Sequence, residues 1–388
     1  MKEKSQFSYS KQIVFINQSS GTLMVDIVNA FGIKYEKLVL ITGTKGGEKY
    51  LAELSDNVIL DKIISYDKSS TLKRIFTWLW GWFQIWLKLI FKYRTAELFI
   101  VSNPPIATLL PLFCRNPYSF LIYDTYPDVL ISTGICKANS LIVCWWKKLN
   151  IKLYHKARNI YTIGNGMAKC LSQYVELDKI HIIPNWANVS YLKPCAKVDN
   201  IFLKEQKLTD KFIVLYSGNL GNTHKVETIV EVAEKLKKEQ DIYFIIIGEG
   251  GKKKKIESMI EENKLNNCRL LPWQPVEKLP YSIGAADVGV ITLDLLASKL
   301  SVPSKTYAMM AVGCALLCIA GKDSELKEIV EEYQVGEIFN PNEIERISNF
   351  ILEMKNDVEK LEYYKQNARK AALNFTPDNA KQYLNTYK

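Results

Sequence analysis

Short apolar, β-rich runs alternate with helix-length stretches along nearly the whole chain, and the alternation breaks once and then restarts. This pattern admits few folds. Parallel strands need long crossover connections, and helices then cover both faces of the sheet. In the first half, residues 13–17, 37–41, 62–66, 98–102, 120–124, 159–163 and 180–184 read as strands. Residues 22–31, 141–156 and 164–174 read as helices. Residues 190–209 are charged, carry Pro194 and have weak periodicity, so the boundary between two domains is placed there. Strands are predicted again at 212–217, 243–247, 268–271, 288–293 and 315–319, with helices at 225–238, 252–263, 324–332, 342–374 and from 377 onward. A chain of 388 residues suits two domains. The predicted fold class is α/β, with two doubly wound domains facing each other across a cleft. The predicted divisions are 1–190, a linker 191–209, 210–374, and a helix 375–388 returning toward the first domain.

Composition narrows the function. The eight cysteines are scattered without a Cys-x-x-Cys pair and there are three histidines. That argues for reduced thiols and against a disulfide framework or a zinc site. Residues 1–11 are polar, so no signal peptide is expected. A net charge of +10 suits anionic partners, and no nucleic-acid-binding module is evident.

Residues 75–91 hold Trp78, Trp80, Trp82 and Trp86, four of the eight tryptophans. Thr77, Gly81, Gln84 and Lys88 form a polar stripe at helical spacing, Lys73 and Arg74 precede the segment, and Lys92 and Arg94 follow it. Seventeen residues are slightly short for a membrane span. Tryptophan and basic flanks fit a helix lying in the interface of an anionic membrane. Lys73, Arg74, Trp78, Trp82 and Trp86 are the predicted contacts, and a buried helix packed on the sheet is the competing reading.

Four strand-end loops in the second half carry the chemistry. Ser217-Gly218-Asn219-Leu220-Gly221 lets backbone approach a ligand closely, and Asn219, His224 or Lys225 can reach an anion. Ile247-Gly248-Glu249-Gly250-Gly251 adds one carboxylate. Leu271-Pro272-Trp273-Gln274-Pro275 can hold a planar base, although Trp273 reads equally as packing. Val302-Pro303-Ser304-Lys305 opens a short helix that stops at Gly313. Ser304 is expected to cap it, and the free N–H groups of the first turn with Lys305 suit a phosphate.

In this order, and with Gly284-Ala285-Ala286-Asp287-Val288-Gly289-Val290 between them, these loops resemble the nucleotide-binding domain of retaining family-four glycosyltransferases of the GT-B fold. The likeness is greatest to the bacterial subgroup that builds O-antigen, capsule and exopolysaccharide. The resemblance implies a GT-B architecture of two Rossmann-like domains. It implies that Gly218, Asn219, Lys225, Ser304 and Lys305 bind the donor diphosphate, and that Glu249, Pro272, Trp273 and Gln274 lie near the nucleoside. The first half matches more loosely, at Gly21 and Thr22, at Pro104-Pro105, at Tyr123 to Asp128 and at Ile182-Ile183-Pro184-Asn185. Gly21 and Thr22 would serve the acceptor, and Asp124 and Asp128 would be catalytic.

Two departures stand out. Many family members carry a pair of glutamates where this chain has Leu300 and Ala308, and a basic residue where it has Asn219. Ribose recognition then falls to backbone or Glu325. The implied activity is transfer of a sugar from a nucleotide-sugar donor, expected to be a UDP-sugar. The acceptor is lipid-linked (polyprenyl type) or an oligosaccharide. Transfer would proceed with retention and without metal or other cofactor, at the inner face of the cell membrane, by a cytoplasmic, peripherally attached protein. The alternatives are a sugar-nucleotide epimerase of the same fold and an inactive homologue that scaffolds polysaccharide assembly.

Overall fold

The computed structural model describes residues 12–44, 48–67, 69–132, 134–221, 224–294 and 302–387. The polar segment 1–11 and Leu300 lie outside them. The chain divides into two compact units, Met1–Pro184 with Asp378–Lys388, and Asn185–Pro377.

The first unit is built on a seven-stranded sheet. Its strands are β1 (Gln12–Ile16), β2 (Lys37–Thr42), β3 (Val58–Lys62), β4 (Glu97–Val101), β5 (Tyr118–Ile122), β6 (Ile160–Thr162) and β7 (Ile180–Ile182), in the order β3-β2-β1-β4-β5-β6-β7. Every pairing is parallel. Strands β4 and β5 are buried at every residue, which is why they read as continuous apolar runs rather than alternating ones. The chain leaves in opposite directions from β1 and β4, so their ends form the switch point of this sheet. There the Gln18 N–H donates to the Asn103 carbonyl at 2.9 Å.

The second unit has six parallel strands: β8 (Phe212–Ser217), β9 (Ile242–Ile247), β10 (Cys268–Leu271), β11 (Val288–Thr292), β12 (Ala315–Ile319) and β13 (Gly336–Phe339). Their order is β10-β9-β8-β11-β12-β13, with the switch point between β8 and β11. Helices Glu227–Lys235 and Ile344–Asn356 pack Ile229, Val230, Val232, Phe350 and Ile351 into its core.

Three sequence expectations need correction. The third strand runs over Val58–Lys62 and not 62–66, because Asp61 is buried inside it and breaks the apolar run. Strand β13 was not predicted, since its four residues include Glu337 and two are only half-buried. Residues 191–209 do not form a free linker. The chain passes between units at Pro184–Asn185, and the predicted linker folds with the second unit. Asn200 caps the helix Ile201–Gln206, Phe202 and Leu203 are buried, and the Lys197 ammonium reaches the Asp287 carboxylate and the Lys211 carbonyl.

The tryptophan-rich helix spans Thr71–Phe91, with Ser70 accepting from the Lys73 N–H at its start. Its polar stripe faces the protein. Gln18 Nε2 donates to the Thr77 carbonyl at 2.7 Å and to Ile64 O at 3.2 Å, and Gln84 Oε1 accepts from the Ile64 N–H at 2.8 Å. Lys88 pairs with Asp61, which also accepts from Lys92 at 2.9 Å and from the Tyr93 hydroxyl at 2.7 Å. The opposite face, Leu72, Ile75, Phe76, Leu79, Trp80 and Phe83, is exposed at three- and four-residue spacing. Among the described residues no helix is long and apolar enough to cross a membrane.

Helix Ala380–Thr386 belongs to the first unit although 193 residues of the second precede it. Tyr383 and Tyr387 sit edge-on or stacked against Phe31, Phe99 and Tyr161, at ring separations of 4.9 to 6.3 Å. Tyr383 is wholly buried. Tyr383→Ala should therefore cost about 3–5 kcal/mol, read as a lower urea midpoint at unchanged slope.

At Asp61, burial acts to raise the carboxyl pKa, but the bonds from Lys88, Tyr93 and Lys92 together outweigh it and hold it below 3.8. A depressed carboxylate stabilises the fold above its unfolded value and loses that contribution as pH falls through the folded one. Asp61→Asn should cost about 1–3 kcal/mol at neutral pH. The difference from the parent chain should shrink once acid takes the pH below 3.8, as followed by tryptophan fluorescence in urea.

Candidate active site

In an open parallel sheet, ligands bind beyond the carboxyl ends of the strands at the switch point. In the second unit that point is the pair of loops after β8 and β11, and most of the donor-side residues singled out from the sequence converge on it. The Gly218 N–H donates to Ile247 O at 2.9 Å, and the Leu220 N–H donates to Glu249 O at 2.9 Å, so the loops after β8 and β9 are stitched together by backbone. Gly248 has φ +156°, and a Cβ there would stand 1.9 Å from the Gly218 carbonyl oxygen. No other residue fits.

Lys305 lies in the first turn of the helix Ser304–Ala311, and its Nζ reaches back over this loop. It sits 3.8 Å from the centroid of the Tyr216 ring, and a Cβ on Gly218 would stand 2.6 Å from it. The Nζ is buried and has no hydrogen-bond partner among the described residues. Desolvation pulls its pKa down to about 7. An ammonium held over an aromatic face, stripped of water and without a partner among the described residues, is a candidate anion site.

Asn219 is exposed above the seat, with its carbonyl accepting from the Tyr216 hydroxyl at 2.7 Å. Ser304 is exposed at the helix start but makes no cap bond. It is the first helical residue, not the cap that the sequence suggested, because Pro303 occupies the capping position. That leaves the hydroxyl unspent. Lys225 is not drawn in: its N–H donates to Thr292 Oγ1 at 3.0 Å and its side chain points to solvent. Its neighbour His224 is the residue held against the seat, with Nδ1 at 2.7 Å from Thr292 O.

The nucleoside-side residues are more scattered. Glu249 pairs with Lys253 at 2.9 Å. The Gln274 amide donates to Pro272 O at 2.9 Å, and Trp273 is exposed at the end of β10, the edge strand. Glu325, considered for ribose, is buried at the start of the helix Glu325–Tyr333. Ala308 stands in the helix where a carboxylate was missing, and it is half-buried.

In the first unit Asp124 and Asp128 part ways. Both N–H groups of Tyr123 and Asp124 donate to Ser102 Oγ, at 3.0 and 3.3 Å, which ties the loop after β5 to the end of β4. The Asp124 side chain is exposed, yet desolvation by the surrounding protein holds its carboxyl above the ordinary range. The carboxyl is open to solvent, and a raised pKa suits a proton carrier. Asp128 is already engaged. It begins the helix Asp128–Ser132, accepts from the Tyr174 hydroxyl at 2.5 Å, and pairs with Lys147 at 3.2 Å. That network makes it a structural anchor for the following helices. Gly21 starts the helix Thr22–Phe31, with the Met24 and Val25 N–H groups donating to its carbonyl, and Thr22 is exposed beside it.

The tryptophans predicted to touch a membrane are the half-buried flank of their helix. Trp78 stacks on Tyr66, and Trp82 lies between Trp86 and Phe113. Their indole nitrogens are shut from solvent. Lys73 and Arg74 are exposed at the helix start.

Sequence reasoning missed Tyr216 and left His224 as an option. Tyr216 reads as one more apolar residue of β8, and only the fold reveals that Lys305 crosses its ring.

Comparison with known proteins agrees with this layout. Residues 197–371 match the family Glycosyl transferases group 1. The probable glycosyltransferase WbjE of Pseudomonas aeruginosa is 24% identical over 295 residues, 74% of this chain and 73% of that protein. The putative colanic acid biosynthesis glycosyl transferase WcaI of Escherichia coli K12 is 30% identical over 46% of this chain and 44% of its own length. Among solved structures, Anabaena HepE in complex with UDP and glucose superposes with a TM-score of 0.73 at 15% identity, covering 96% of this chain and 98% of that one. WaaG, a glycosyltransferase involved in lipopolysaccharide biosynthesis, gives 0.72 at 11% identity, covering 97% and 99%. Residues 197–371 are thus similar to Glycosyl transferases group 1, and the chain as a whole has the GT-B fold.

Proposed function

We propose that this protein is a glycosyltransferase that moves a sugar from a nucleoside diphosphate donor, a UDP-sugar, to a lipid-linked acceptor during synthesis of a bacterial surface polysaccharide. The observation that carries the reading is one cation: Lys305 Nζ, buried, without a hydrogen-bond partner among the described residues and set at a helix start. The names of WbjE, WcaI and WaaG and the UDP held by HepE support the substrate class.

In this reading the bond between the anomeric carbon and the diphosphate oxygen breaks, and its electron pair leaves on the diphosphate. Lys305, the free N–H groups at Ser304 and the loop backbone at Asn219 stabilise that charge with dipoles already in place. No metal enters the scheme. An acceptor hydroxyl attacks the sugar, with retention of configuration, and Asp124 receives its proton. Asp128 keeps the loop in position.

The acceptor's lipid explains the exposed face of the helix Thr71–Phe91. Leu72, Phe76, Leu79, Trp80 and Phe83 would sink into the interface of an anionic bilayer on its cytoplasmic side, with Lys73 and Arg74 on the head groups. The inward polar stripe holds the helix in that attitude.

Two measurements test the reading. Incubated with lipid-linked sugar and a panel of nucleotide sugars, the protein should release a nucleoside diphosphate, and Lys305→Ala should slow release by about 10²–10³-fold, as losing one charge-stabilising donor does elsewhere. Unchanged turnover in that variant removes Lys305 from the mechanism. In co-sedimentation, the protein should bind vesicles containing phosphatidylglycerol more than phosphatidylcholine vesicles, and less at high salt. Leu79→Asp with Phe83→Asp should abolish binding; retention of binding would clear this face of a membrane role.

A further inference from the structure

The seat around Lys305 contains a second group that titrates. His224 follows the loop after β8, and its ring is fixed: Nδ1 lies 2.7 Å from the Thr292 carbonyl, so that nitrogen carries the hydrogen. Its own carbonyl accepts from Lys252 Nζ at 2.8 Å, which pins the backbone from the other side. The ring lies edge-on to Tyr216, 6.5 Å between centroids, the same ring that Lys305 covers from 3.8 Å. Two nitrogenous side chains thus converge on one aromatic platform, and the lysine has no acceptor among the described residues.

We propose that His224 is a second cationic ligand of the donor diphosphate, and that anion binding at this seat is coupled to proton uptake. The proposal rests on the donor-site reading above and deepens it.

The charges facing the pair set the direction. Burial lowers the His224 pKa first, and the nearby Lys305 charge lowers it further; Asp294, at the end of β11, and the Thr292 carbonyl act the other way. Lys252 is a weaker opposing charge, since it is paired with Glu227 at 3.0 Å, which also binds Lys255. Glu249 is occupied by Lys253. Tyr216 is neutral, its phenol raised by burial and donating to Asn219 O. Without an anion, then, His224 is neutral near pH 7 and Lys305, at about 7, is roughly half charged. A diphosphate between them reverses both penalties, because an opposite charge within a few ångströms favours the protonated form. With Nδ1 spent on Thr292, the arriving proton goes to Nε2, which then donates to a phosphate oxygen.

The linkage has a definite sign. As pH rises past 7 the free seat holds fewer protons while the occupied seat keeps them, so affinity falls with pH, about tenfold per unit for each proton taken up. A terminal phosphate is fully ionised above about pH 7, its second pKa being near 6, so UDP itself does not supply this trend.

The test is calorimetric titration of the full chain with UDP at pH 7.5, in two buffers of different ionisation enthalpy. The parent protein should take up about one proton or more per UDP. His224→Asn keeps a donor for the Thr292 carbonyl and removes Nε2. It should melt at the parent temperature, take up at least about 0.3 proton fewer, and bind UDP about tenfold more weakly. If His224→Asn binds UDP with the parent affinity and proton uptake, the proposal falls while the donor site stands. If UDP, GDP, ADP and dTDP all give no binding to the parent protein, the donor-site reading falls and takes this proposal with it.

Discussion

Everything on the donor side depends on backbone meeting backbone where the loops after β8 and β9 touch. The N–H of Gly218 reaches the last carbonyl of β9, and Gly248 lies so close to the Gly218 oxygen that not even a methyl group could be accommodated. This contact fixes the floor of the seat without using any side chain. It therefore frees Tyr216, Asn219 and Lys305 to be placed by their own elements: a strand end, a turn and a helix start. A cation can remain unpaired there only because the rigid floor gives it nothing to fold back on. Under the proposed donor reading, the local free energy lost by stranding Lys305 would be recovered when an anion arrives.

The first unit solves a different problem with the opposite device. A helix with an aromatic face would normally bury it. Here Gln18, Gln84 and the Asp61 group hold its polar stripe inward with directional bonds, and the apolar stripe is left outside. A hydrophobic surface of this kind is costly in water and unusual in a protein that acts alone there. The buried polar seam specifies which way the helix faces, a role for which hydrophobic packing, being non-directional, is poorly suited.

The positions of most strands along the chain and the identity of the strand-end loops were legible in the sequence, because fully buried parallel strands leave continuous apolar runs bounded by glycine and proline. The errors fell where burial is partial. Strand β3 carries Asp61 in its interior, β13 is short and half-exposed, and residues 191–209 look like a linker because their anchoring is done by Asn200 and Lys197 rather than by an apolar stripe. At the site, glycines and Lys305 were legible from their types. The choice of His224 over Lys225 was not, since one residue of rotation decides which side chain faces the seat. Nor was the engagement of Asp128, which depends on Tyr174 and Lys147 arriving from distant parts of the chain. The polar stripe at Thr77, Gly81, Gln84 and Lys88 was visible as a pattern, but a periodicity cannot say which side of a helix is the inside.

Tyr383 and Tyr387 complete the aromatic core of the first unit from beyond the far end of the second. On a ribosome, the sheet that starts the chain must therefore wait, with Phe31, Phe99 and Tyr161 uncovered, while all of Asn185–Pro377 is translated. At about 5–20 residues per second that interval is on the order of ten to forty seconds. During it the nascent first unit exposes both its unfinished core and the outward face of the helix Thr71–Phe91. Completion of the first unit is thus tied to the last residues synthesised, so its core cannot close before the second unit has been made.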